Sequence, residues 1–218
     1  AYTIKNEPVT AVKLMERAAN KFYDHLFEKD GYDVSHRYPV IKIFCGLGNN
    51  GGDGMMVAAR LKKVESVDVY IVDYSGKKSA EFVRVESKFK EFSYKRLHYV
   101  RSKEDIPDIG KKDLVIDALF GTGLSKPVTG LASDVIHHIN KSGATVYSID
   151  MPSGLFADAH TPAEHAVVHA TKTLTFQSPK LSFFFPENAD RVGEWEVLDI
   201  GLDKAFIANL PSAKTIIT

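Results

Sequence analysis

The first pattern in the chain is a set of apolar residues, Val12, Leu14, Met15, Ala18, Ala19, Phe22 and Leu26, that returns every three to four positions. That period places one apolar stripe on a helix spanning about 10–28, with Thr10 standing where a hydroxyl can cap its first turn. A polar, glycine-bearing stretch (29–38) follows. Val40, Ile41, Ile43 and Phe44 then form a short apolar run of the kind found in strands covered on both faces, and Gly46 ends it.

From there the two periods alternate. A helix is predicted at about 54–64, a strand at Val67–Val72, a helix at 79–92 and a weaker strand at Leu97–Val100. A strand at 114–119, a helix at 131–140 and a strand at Thr145–Ile149 come next. After Pro152 the pattern turns β-rich, with Lys172–Phe176 and 195–200 as the clearest strands. Strands alternating with helices predict an α/β fold with a mostly parallel sheet between helical layers. Phe82, Val85 and Phe89, on the third helix, fit either a core or a dimer contact, so a homodimer or higher oligomer stays open.

No repeat, low-complexity tract or linker divides the chain. Its 218 residues suffice for one large α/β domain and are too few for two ordinary ones, so a single domain over 1–218 is expected. Lys and Arg total 28, as do Asp and Glu. With no net charge there is no global basic field for nucleic acid or an anionic membrane, and a small-molecule ligand fits better. The single cysteine, Cys45, rules out an intrachain disulfide and, within an apolar strand, points to a reducing compartment, the cytoplasm being the simplest. No run approaches the ~18 consecutive apolar residues of a membrane span, and no secretory leader is visible. The chain starts at Ala1 without methionine, so something upstream is expected to have been removed.

In a parallel sheet, ligands bind beyond the carboxyl ends of the strands. Three segments fall there: a glycine-rich run after the first strand (46–54), a second after the strand at 114–119 (117–124), and Asp150 to Leu155 (150–155). The first holds Gly46-x-Gly48-x-x-Gly51, formally a dinucleotide fingerprint, with Asp73 after the next strand as a possible ribose partner. Asp53 argues against an ordinary phosphate site, because a carboxylate near the first helical turn would occupy the positive dipole end. Its plainer reading is a helix cap. Gly121-Thr122-Gly123 can form an anion-binding nest, with Lys126 adding charge or simply solvated. Asp117 and Asp150 each close an apolar strand, where a carboxylate is costly unless paired, bound to a cation or chemically used. Neither has an evident partner in its own segment; bonding to loop amides is the plainer reading. Asn50, Asp117 and Ser153 offer hard oxygen donors suited to an alkali or alkaline-earth cation. The histidines, including the adjacent His137 and His138, show no zinc spacing.

Taken together, Asn49-Asn50-Gly51-Gly52-Asp53-Gly54, Asp117-x-x-x-Gly121-Thr122-Gly123 and Asp150-Met151-Pro152-Ser153-Gly154 resemble the NAD(P)HX epimerase family, the YjeF N-terminal domain. Leu14-Met15-Glu16-Arg17-Ala18 is similar to the family's first helix, and Gly193-x-x-x-Val197-x-Asp199-Ile200-Gly201 to its last strand. The resemblance implies a Rossmann-like three-layer α/β/α sandwich, an isomerase activity in nicotinamide-nucleotide repair (R- to S-NAD(P)HX at C6), and a bound potassium ion. It assigns the hydrated nucleotide to Asn49, Asn50, Gly51, Gly52, Asp53, Gly121, Thr122, Gly123, Leu124, Ser125, Lys126, Pro127 and Asp150. Potassium falls to Asn50, Asp117 and Ser153. Lys126 stands where many relatives carry arginine. Lys180, within a further similar segment, can face the pocket or solvent, and solvation is preferred. Asp150 is the first choice for the catalytic acid/base and Asp53 the second.

Two other readings stay open. One is a noncatalytic module on the same fold that binds nucleotide, RNA or protein; the other is an NAD-dependent oxidoreductase using Gly46, Gly48, Gly51 and Asp73. Family resemblance also implies that an ADP-dependent dehydratase domain can follow outside this chain.

Overall fold

The structure is a computed structural model that describes residues 5–7, 9–26, 39–61, 66–93 and 96–209, with the side chains of 91–93 excepted. The polar stretch 29–38, the end of the first expected helix (27–28) and the end of the second (62–64) lie outside the described residues.

Seven strands form one sheet: β1 (Ile41–Cys45), β2 (Val67–Val72), β3 (Leu97–Val100), β4 (Leu114–Ala118), β5 (Thr145–Ile149), β6 (Lys172–Phe176) and β7 (Glu194–Leu198). Their order is β3-β2-β1-β4-β5-β6-β7, and every neighbouring pair is parallel. The chain therefore builds outward from β1 in one direction, returns to the centre at β4, and builds outward in the other.

The helices are α1 (Ala11–Asp24), α2 (Asn49–Arg60), α3 (Ala80–Ser93), α4 (Gly130–Ser142) and the short α5 (Ala189–Val192) and α6 (Lys204–Ala208). Thr10 caps α1 as expected, its hydroxyl accepting from the Lys13 amide at 3.2 Å. The apolar stripe of α1 (Met15, Ala19, Phe22) packs with Met55 and Ala58 of α2, Phe82, Val85 and Phe89 of α3, and Ile41, Ile43 and Cys45 of β1. Phe82, Val85 and Phe89 are thus core residues of the fold itself. On the other face, Ala132, Val135, Ile136 and Ile139 of α4 meet Phe44, Val115 and Val146. Residues 41, 43 and 45 on one face and 44 on the other follow the period of two that strand geometry dictates. Among the described residues, no helix is long and apolar enough to cross a membrane.

One helix differs from expectation in a way that matters for the site. α2 starts at Asn49, not near Gly54, so the asparagine and glycine residues expected in a loop are its first turns. Asn and Gly are weak helix formers, glycine by about 1 kcal/mol relative to alanine, and the apolar period begins only at Met55. Packing against the sheet decides instead: α2 lies so close that a Cβ on Gly54 would sit 2.6 Å from Ala118 Cβ and 2.9 Å from Cys45 Sγ.

Candidate active site

Between β1 and β4 the crossovers diverge to opposite sides, leaving a crevice beyond the strand ends. The Gly46 amide donates to the Ala118 carbonyl at 3.0 Å, tying the two strand ends together. A Cβ on Gly51 would meet the Gly46 carbonyl oxygen at 1.9 Å, and one on Gly52 would meet Met15 Sδ at 3.2 Å. These two glycines therefore serve the packing of α2, and the structure does not bring them to the cavity wall. Gly48 differs: it is the N-cap of α2, and a Cβ there would touch nothing within 4 Å. The fingerprint-like spacing thus combines two close-packed glycines, Gly46 and Gly51, with Gly48, which opens onto the crevice.

The crevice holds a cavity of about 600 Å³, walled by Gly48, Asn49, Asn50 and Asp53 of the first segment, Tyr74 after β2, residues 119–126 after β4, and Asp150. This volume suits a drug-sized or larger ligand. All three sequence segments converge here. Gly121, Thr122, Gly123, Leu124, Ser125 and Lys126 form one wall, whereas the exposed Pro127 lies just beyond it. The amides of Thr122 and Gly123 have no acceptor among the described residues, as an anion-binding loop requires.

Tyr74 was not legible as a site residue; its only signal is an aromatic in the turn after β2. It pairs with Phe120 at the rim, ring centroids 5.1 Å apart and planes at 50°. Its neighbour Asp73 is engaged elsewhere, accepting from the Gly76 amide at 3.1 Å and facing Arg101 at 3.6 Å. Asp73 does not line the cavity, and the oxidoreductase reading loses its ribose carboxylate.

Beneath the cavity floor lies a cluster of oxygens. Asp117 is wholly buried at the end of β4 and accepts from Ser148 Oγ (2.8 Å), the Ser153 amide (2.8 Å), Ser153 Oγ (2.5 Å) and the Leu119 amide (3.2 Å). The absence of a partner in its own segment is thus corrected: Leu119 supplies one, because the chain turns back immediately after the strand. Burial pushes the Asp117 carboxyl up, and these donors pull it the other way. The Phe120 carbonyl, which sequence reasoning did not single out, joins the cluster to the cavity. It accepts from Asn50 Nδ2 at 2.9 Å and from Ser153 Oγ at 3.3 Å. Asn50, Asp117 and Ser153, from three distant segments, are therefore neighbours.

Asp53 is the fifth residue of α2, so it cannot cap the helix, and that reading is overturned; the cap is Gly48. Its carboxyl sits in the cavity wall, where burial first, and then the nearby charge of Asp150, push it well above the ordinary carboxylate range. Asp150 terminates β5 with φ +66, a left-handed conformation that aspartate tolerates better than most residues. Its Oδ1 lies 2.9 Å from Lys180 Nζ, whose side chain is only 13% exposed. Lys180 is thus not a solvated lysine, a correction that follows from the turn after β6, which brings it back onto the end of β5.

Comparison with known proteins bears on what this arrangement belongs to. Residues 11–182 match the model of the family described as YjeF-related protein N-terminus. The chain belongs to this family. Among its YjeF-related relatives, an NAD(P)H-hydrate epimerase of Oenococcus oeni is 34% identical, the match covering 92% of this chain and 91% of that one. A bifunctional NAD(P)H-hydrate repair enzyme, Nnr, of Moorella thermoacetica is 33% identical over 92% of this chain, which spans 38% of that enzyme's length. The crystal structure of the yeast protein ynu0 shares the fold, with a TM-score of 0.66 at 19% identity, covering 87% of this chain and 78% of that one.

Proposed function

We propose that this YjeF-related chain is an NAD(P)H-hydrate epimerase that binds hydrated NADH or NADPH in the crevice between β1 and β4 and interconverts the two epimers at C6 of the nicotinamide ring. The observation that carries this reading is a pair of carboxyl groups in one cavity with opposite surroundings. Asp53 is half-buried in the cavity wall, where burial and then the charge of Asp150 raise its carboxyl well above the ordinary carboxylate range, and Asp150 is ion-paired to Lys180. Two carboxyls whose environments separate them in this way are a general acid and a general base.

The C6 hydroxyl lies next to N1, whose lone pair can expel it. Neutral Asp53 protonates the departing hydroxyl, which leaves as water while the ring becomes a delocalised iminium. A water then attacks C6 from the opposite face and loses its proton to Asp150, giving the other epimer. The net reaction consumes nothing, and proton exchange with solvent resets the two carboxyls. The Asp150 carboxylate also favours the cationic ring electrostatically. The free amides of Thr122 and Gly123, the open N-terminus of α2 at Gly48, and Lys126 would hold the phosphate side of the substrate.

Asn50, Asp117 and Ser153 fit a potassium ion by the chemistry of the donor set. The Asn50 amide, whose nitrogen donates to the Phe120 carbonyl, also carries an oxygen, and with the Asp117 carboxylate and the Ser153 hydroxyl or carbonyl it offers hard oxygen donors. When bound there, potassium would supply a fixed positive charge under the phosphate-side loop. A bound dinucleotide, not nucleic acid, agrees with the neutral charge balance, and the buried free thiol of Cys45 suits a reducing, cytoplasmic setting.

The test is epimerisation of purified R-NADHX followed chromatographically. Asp150→Asn is expected to lower the enzyme-accelerated rate by about 10²- to 10⁴-fold while leaving the fold intact. Acceleration equal to that of the unaltered protein would remove Asp150 from the mechanism.

A further inference from the structure

Asp150 is held asymmetrically. Oδ1 has three partners: it accepts from the Phe176 amide at 3.0 Å and the Thr175 hydroxyl at 3.2 Å, and forms an ion pair with Lys180 Nζ at 2.9 Å. Oδ2 receives none among the described residues. The donors come from the end of β6 and the turn that follows it, so the side chain of Asp150 continues the β5–β6 pairing where the backbone of β5 has already turned away.

Lys180 is itself tied to this turn. Besides its ion pair with Asp150 it donates to the carbonyls of Phe176 at 3.2 Å and Ser178 at 3.1 Å. An ammonium has three protons and no lone pair. Two of them go to these carbonyls, and its charge faces Asp150.

We propose that Lys180 is a positioning residue of the active site: it pins one oxygen of Asp150 against the end of β6, leaving the second oxygen to take the proton of the attacking water. This rests on the reading of Asp150 as the base. The groups that face Asp150 are Asp53 from α2, Lys180, and the uncharged Thr175 and Phe176 of β6, with Lys126 lining the same cavity after β4. Without the ammonium, two carboxyls would face each other with no cation in contact. The Asp150 side chain would then lose one of its three anchors.

The experiment compares Lys180→Met, Lys180→Gln and Lys180→Arg with the unaltered protein, measuring kcat and KM for NADHX epimerisation across pH, with circular dichroism confirming the fold. Loss of charge in the Met variant is expected to lower kcat about 10- to 100-fold, as loss of an outer partner does at other sites. KM should stay near its original value. Arginine should restore part of the lost kcat. Should the Met variant not fold, the Gln variant, which keeps a donor but no charge, is read in the same way. An unchanged kcat would overturn the proposal, and so would a loss confined to KM, which would make Lys180 a ligand contact. Asp150→Asn separates the two levels: if it stays active, the assignment of the base is wrong, whereas an inactive Asp150→Asn beside a fully active Lys180→Met overturns only the role of the lysine.

Discussion

At the scale of single residues, Asp53 is the clearest case of a group kept in a state that folding alone would not choose. Burial, and after it the nearby charge of Asp150, raise its carboxyl well above the ordinary carboxylate range. In the unfolded chain the same group ionises above about pH 3.9. A carboxyl whose folded pKa is raised adds stability that is complete below that value and is lost as pH rises toward the folded one. At neutral pH Asp53 is therefore a liability that its chemistry explains. Asp53→Asn keeps the shape and removes the titration, so the variant is expected to melt at least about 2 °C higher than the unaltered protein near neutral pH, with the gap closing on acidification. Its epimerase rate should fall by about 10²-fold or more. Calorimetry over a pH series, paired with the epimerisation assay, checks both; a variant that melts lower at neutral pH would show that the acid is not buried at a cost. The sequence made Asp53 conspicuous because a carboxylate interrupts a glycine run. It could not separate a cap from a buried acid, since the two differ only in where the helix begins.

That boundary is settled at the scale of elements. The central strands β1, β2, β4 and β5 were legible as short, mostly apolar runs and the more polar β3, β6 and β7 less plainly so, and α1, α3 and α4 because their apolar periods are unbroken. The start of α2 was not, since Asn49, Asn50, Gly51 and Gly52 carry no helical signal and their helicity comes from contact with the sheet and α1. Replacing Gly51 by alanine tests this directly, since the added carbon would fall 1.9 Å from a backbone oxygen that cannot swing aside. Gly51→Ala is expected to cost about 1–3 kcal/mol or more in urea unfolding, within the range of other overpacked sites. Gly123→Ala, with nothing within 4 Å of the new atom, should unfold like the unaltered protein. Equal midpoints for the two variants would mean that α2 does not depend on this close approach. A third substitution belongs at this scale. Tyr74 joins the β2 turn to the loop after β4 through Phe120, and Tyr74→Ala should raise KM for NADHX with little change in kcat, the signature of lost uniform binding.

Whole-molecule topology explains why the three motif segments were legible as one site and why their partners were not. A parallel sheet puts every strand's carboxyl end on one edge, so segments ending β1, β4 and β5 had to meet once that class was inferred. Which side chains they meet depends on turns without a periodic signal. Lys180 returns onto Asp150 after β6, and the Phe120 carbonyl sits between Asn50 and Ser153, contacts that no spacing in the chain announces. The same oxygen cluster links the halves of the molecule, because Asn50 follows β1 whereas Asp117 lies in β4 and Ser153 follows β5. An ion held there binds only the assembled fold, so it must stabilise that fold by mass action. At a concentration 100 times its dissociation constant the gain is about 2.7 kcal/mol, which for a domain of this size is a rise of roughly 5–10 °C. Thermal midpoints in potassium chloride should therefore exceed those in N-methylglucamine chloride at equal ionic strength. The difference should disappear in Asn50→Ala, which removes an amide oxygen at the cavity floor without disturbing the four donors on Asp117. Ionic strength acts equally in both salts and cannot produce it, whereas a potassium-dependent shift that survived in Asn50→Ala would put the ion elsewhere in the molecule. If the two salts gave the same midpoint for the unaltered chain, the oxygens around the Phe120 carbonyl would be a hydrogen-bonded hub joining β1, β4 and β5 and nothing more.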